Sequence, residues 1–172
     1  ANPREIAYFD RGPIMEEELI TGGYWSVYYY EGAIYGTEIT RGLDILKLIP
    51  SEYLSENEIA AAELAYPLIG SRRLFNPQQQ VPMTWPAKPV VARAYIDQLL
   101  KDKALQEDTA KSIIEKLDLV DVAMEKGGNN RLARQINRLE LSFDALNVNA
   151  MTQRRLEKLN ATLKEISEGL NK

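Results

Sequence analysis

The residue types in this chain limit its chemistry before any fold is considered. It has no histidine and no cysteine, so the usual nucleophile-base triads, thiolate chemistry and imidazole or thiolate metal sites cannot be assembled from it. Carboxylates, arginines and aromatic rings remain. Glu31 and Glu38 flank one short segment, and two acids at a suitable separation can hydrolyse a glycosidic bond, yet Glu31 belongs to a Glu-Gly turn, where a solvated acid is ordinary. Asp10 with Glu16, Glu17 and Glu18 offers the hard oxygen ligands calcium prefers, but the spacing matches no calcium loop and such a charge run is commonly a solvated turn. The aromatic group Tyr24, Trp25, Tyr28, Tyr29, Tyr30 and Tyr35 is a sharper case. Stacked rings bind sugars and anchor interfaces, while strand aromatics equally fill the space between packed sheets. Tyr24, Trp25, Tyr28 and Tyr30 are therefore candidate ligand- or partner-binding residues, the first two standing behind Thr21-Gly22-Gly23 at a strand entrance. Arg131, Arg134 and Arg138 recur at three- and four-residue spacing as a basic stripe, with Glu140 and Asp144 on the same segment to neutralise it. No catalytic residue, cofactor or resident metal is expected.

The elements that must hold these residues fall into an α+β order. Three short antiparallel strands are expected at Trp25 to Tyr30, Ala33 to Ile39 and Leu43 to Ile49, turning at Glu31-Gly32 and Arg41-Gly42. Alternation would put Trp25, Val27 and Tyr29 on one face and Tyr28 and Tyr30 on the other, so both faces are apolar and both need cover. That suits one antiparallel blade of a β-propeller, at the carboxyl-terminal end of the array. Ser55-Glu56-Asn57-Glu58 is a capping box that opens a short helix stopped by Pro67. Phe75 to Pro89 carries four prolines between Pro77 and Pro89, which predicts a stiff extended linker rather than a helix or central strand. From Val90 the apolar period becomes helical. Val91, Tyr95 and Leu99; Ile113, Leu117, Val120 and Met124; Leu132, Ile136, Leu139 and Phe143; and Leu156, Leu159, Leu163, Ile166 and Leu170 mark an up-and-down bundle of about four α-helices. Gly127-Gly128 should end the second helix, Asn129 cap the third, and Asn147-Val148-Asn149 separate the third from the fourth. The expected division is 1–50 for the blade, 51–89 for the connecting helix and Pro-rich linker, and 90–172 for the bundle. Leu119, Leu141 and Val148 fall off the apolar stripes and could mate copies of the chain.

Two resemblances rest on these segments. Ile34-Tyr35-Gly36-Thr37-Glu38 and Gly42-Leu43-Asp44-Ile45-Leu46 resemble the middle strand and the GLxII element of LVIVD-repeat proteins, and Asn2 to Tyr8 resembles the strand that opens such a repeat. Leu48-Ile49-Pro50-Ser51 departs from the repeat's DVSDP run, as if the array ended there. Val91 to Leu146 resembles the FIMAH domain through Ile113-Ile114-Glu115-Lys116-Leu117, Ala123 to Gly127, and Ala133-Arg134-Gln135-Ile136 with Phe143; an extra Gly128 interrupts the pattern. The resemblances imply a β-propeller, an exported bacterial setting at the cell surface or in the extracellular space with a signal peptide upstream of this segment, and a non-catalytic accessory role.

Composition agrees with a globular chain. The sequence is 172 residues long, 45% hydrophobic and 27% charged, with a formal charge of −4, so it lacks the concentrated basic surface nucleic acid requires. No run of about 18 apolar residues is present to span a membrane. The function expected is a binding or structural module that completes a propeller and carries a helical interaction domain, its partners being the remaining blades, from the same precursor or a second chain, or further copies of itself. The alternative is the closing segment of a propeller enzyme, or of a metal- or carbohydrate-binding protein, whose active residues lie in upstream blades.

Overall fold

The structure, a computed structural model, describes residues 5–67, 82–139 and 149–171. It is an α+β chain that divides into two compact units, Ala1–Thr84 and Trp85–Lys172.

The first unit is built on a three-stranded antiparallel sheet in the order β1 (Tyr24–Tyr30), β2 (Ala33–Glu38), β3 (Gly42–Leu46). Glu31 and Gly32 both take positive φ, 46° and 82°, which is the two-residue turn that suits the right-handed twist of a hairpin. The sheet departs from the expected pattern in three ways. β3 stops at Leu46 and β2 at Glu38, short of the expected Ile49 and Ile39. Residues 5–13 form no strand. Thirdly, pairing runs Tyr24 to Glu38 and then Ser26 to Thr37, so Trp25 is the extra residue of a β-bulge. The bulge breaks the two-residue alternation, leaves Trp25 outside the strand pairing and brings Tyr24 onto the face of Val27 and Gly36.

After the sheet, α1 (Glu56–Glu63) opens on Ser55, whose hydroxyl accepts from the Glu58 N–H while the Glu58 carboxylate accepts from the Ser55 N–H. The expected capping box is thus formed. β4 (Tyr66–Pro67) and β5 (Met83–Thr84) pair as a two-residue antiparallel ladder. The expected linker residues Phe75 and Val81 lie outside the described residues.

The second unit holds α2 (Pro89–Lys101), α3 (Glu107–Glu125), α4 (Asn130–Asn137) and α5 (Ala150–Leu170). α5 packs on α2, α3 and α4, and the shared core is fully buried at Ile96, Leu99, Ile113, Leu117, Val120, Ile136, Leu159, Ile166 and Leu170. The end of α3 and the starts of α4 and α5 are closed by identifiable chemistry. The Gly128 N–H donates to Ala123 and the Gly127 N–H to Met124, with Gly127 and Gly128 both at positive φ, which is a Schellman stop. Asn129 and Asn149 each accept two backbone N–H groups at the starts of α4 and α5. Met124, expected in the α3 stripe, is exposed, and Ala123 takes the buried place. Phe143 lies outside the described residues, and α4 ends at Asn137, short of the expected run.

Candidate functional site

The four aromatic candidates do not converge. Cross-strand partners share a face, so Tyr28 opposite Tyr35 and Tyr30 opposite Ala33 lie on one side of the sheet. Tyr24, set back by the bulge, lies on the other, over Gly36. Trp25 is 80% exposed and outside the strand pairing.

Tyr24 is held on three sides. A Cβ added to Gly36 would sit 2.5 Å from the Tyr24 ring, so the missing side chain at Gly36 is what lets the ring lie against β2. The phenol O–H donates to Asp44 Oδ2 at 2.5 Å, and this bond to a carboxylate raises the tyrosine pKa above its ordinary value. Asp44 in turn pairs with Arg11, whose Nη1 is 3.1 Å from Oδ1. Asp44 pairs with Gly36 across β2 and β3, so all of these groups gather on one face.

Glu38 organises the strand entrance. Its carboxylate accepts from the Gly23 N–H at 2.7 Å, from the Thr40 N–H at 2.8 Å and from the Arg41 N–H. Those backbone donors, Gly23 first, hold its pKa below the ordinary carboxylate value. Arg41 donates to the Pro13 carbonyl at 2.7 Å, and the Thr40 hydroxyl to the Thr21 carbonyl at 2.9 Å. Segment 9–14 is thereby tied against the turn before β3. Between them lies a cleft of about 300 Å³ whose walls include Phe9, Arg11, Ile14, Tyr24, Glu38 and Arg41.

The other candidates fall apart as sites. Glu31 and Glu38 bracket the whole of β2, so at ~3.3 Å per residue they stand roughly 20 Å apart, far beyond the ~5–10 Å a carboxylate pair needs for glycoside hydrolysis. Glu16, Glu17 and Glu18 are exposed, and Asp10 accepts from the Gly12 N–H. Among the described residues no group of three or more potential metal ligands occurs, and no helix is long and apolar enough to cross a membrane. Arg131, Arg134 and Arg138 are exposed, while Glu140 and Asp144 lie outside the described residues. Leu119 is 58% exposed; Leu141 and Val148 lie outside the described residues.

Arg11, Asp44 and Phe9 are the residues that sequence reasoning missed. Asp44 had no readable signal, since the turn expected at Arg41-Gly42 falls instead at residues 39–41, and pairing Glu38 with Gly42 is what brings Asp44 opposite Gly36. Arg11 and Phe9 had none, because nothing local ties an irregular segment to a strand some thirty residues away. Compared with protein families, curated proteins and solved structures, the chain matches none.

Proposed function

We propose that this chain is a non-catalytic binding or structural module of an exported bacterial β-propeller protein of the LVIVD-repeat type, its sheet serving as a terminal blade and its helices as a FIMAH-like interaction domain. The observation that carries this reading is apolar exposure on both faces of the sheet. Val27 on one face and Leu43 and Ile45 on the other are each more than half exposed, and single soluble chains seldom leave both sides of a sheet uncovered. Among the described residues, β1 and β3 are the outer strands of this sheet and pair with no further strand. The partners are the remaining propeller blades, from the same precursor or a second chain, or further copies of this chain. The extracellular or cell-envelope setting rests on the two resemblances and on nothing else.

The test uses positions that the single chain does not bury. Val27→Asp and Ile45→Asp should leave the chain's own circular dichroism and melting intact and stop its entry into a larger particle on size exclusion. A particle that assembles as before with both substitutions present would overturn the reading.

A second reading, a module that closes a ligand-binding propeller, is favoured by one observation, the cleft beside Tyr24.

A further inference from the structure

We infer that the cleft between segment 9–14 and the start of β1 binds a neutral sugar ring, stacked on Tyr24. The inference rests on reading the sheet unit as a binding module, and it needs no particular number of blades.

The aromatic platform is rigid before any ligand arrives. Gly36 lies beneath the Tyr24 ring, Asp44 fixes the phenol oxygen, and Arg11 fixes Asp44, so little side-chain freedom is left to lose on binding. Tyr24 as a whole nevertheless remains 38% exposed. Phe9, about half exposed, supplies a second apolar wall. Such surfaces suit the C–H face of a pyranose, as amphipathic rings prefer a partner with one apolar side and one wet rim.

Charge argues for a neutral ligand. The cleft is lined by two carboxylates, Asp10 and Glu38, and two guanidiniums, Arg11 and Arg41, and Asp44 beside it pairs with Arg11, so no guanidinium charge is left in excess for an anion, while among the described residues no three carboxylates converge to hold a cation. Glu38 is already committed to three backbone N–H groups. At the rim, Asp10 offers an acceptor beside the Arg11 donors, the side chain of Arg11 being 39% exposed. A hydroxyl needs both, since it donates and accepts at once. A volume of about 300 Å³ lies at the small end of ligand sites, which run from ~300 Å³ upward, so one ring or the end of a short chain is the size that fits.

Saturation-transfer NMR on the full chain, with glucose, galactose, mannose and N-acetylglucosamine and their β-linked disaccharides as probes, tests this. At least one probe should show transfer concentrated on the protons of one ring face. Phe9→Ala and Tyr24→Ala should each weaken its binding about tenfold, and glucuronic acid should bind no better than glucose. Should Tyr24→Ala disturb the sheet in near-ultraviolet circular dichroism, Phe9→Ala, which alters an irregular segment, decides the matter. No transfer to any probe, or transfer unchanged by Phe9→Ala, would overturn the inference. Neither result alters the mass of the assembled particle, so failure here is separable from failure of the blade reading.

Discussion

Gly36 and Tyr24 act as one unit at the scale of single residues. Interior strand glycines weaken a sheet because they leave a gap, and here the gap is filled by the ring of a residue displaced across the strands by a bulge. Gly36→Ala should therefore destabilise the sheet unit by about 1–3 kcal/mol, read as an earlier denaturant midpoint by tyrosine fluorescence; an unchanged midpoint would mean that the ring does not pack there. Glu38 provides a pH signature. Its folded pKa is depressed by backbone donors, so in the acid range the unfolded chain binds more protons and stability rises with pH. The contribution is full above the ordinary carboxylate range and is lost as pH falls through the depressed value. Glu38→Gln should flatten that acid-side slope of the sheet's unfolding, and an identical slope in the variant would contradict the assignment. The Glu31-Gly32 turn was open to a reader of the sequence, whereas Glu38 was read as a carboxylate partner of Glu31 and not as a group that ties a turn. The bulge at Trp25 was not legible, because no residue type marks one.

Capping separates what was legible at the scale of elements from what was not. The Ser55 box, the Gly127-Gly128 stop and the Asn129 start all depend on side-chain or backbone chemistry within a few residues, and each appears in the structure as expected; Asn149, expected only as part of a separator, caps α5 by the same chemistry. Gly127 lies at φ 93° with open space around its Cα. Gly127→Ala therefore meets backbone strain but no clash, and should cost the bundle about 1 kcal/mol in thermal or urea unfolding; a neutral or stabilising result would show that the left-handed stop is not maintained. Element ends without local markers were read less well. β3 stops at Leu46 and α4 at Asn137, although the apolar pattern continues in sequence. One long-range tie was also invisible: the buried Thr152 hydroxyl at the start of α5 donates at 3.0 Å to Asp102 at the end of α2, which also pairs with Arg155. Such a link joins residues fifty positions apart, and no local spacing announces it.

The two units contrast at the scale of the whole molecule. The helical unit closes on itself, with all four of its helices feeding one dry core. The sheet unit does not. Ala33, Gly36 and Ala61 are the small residues it buries, whereas Val27, Leu43 and Ile45 stay in contact with water. Burying such side chains stabilises by roughly 25 cal/mol per Å², which is the force available to any neighbouring sheet that covers them. The proposed blade rests on that imbalance. The most direct test is the mass of the intact particle in native conditions, followed by the mass of the same sample after denaturation. The blade reading predicts a native particle heavier than one 19.5 kDa chain, resolving on denaturation into this chain together with further blades or further copies. A native mass equal to a single chain, with Val27, Leu43 and Ile45 still exposed, would contradict it.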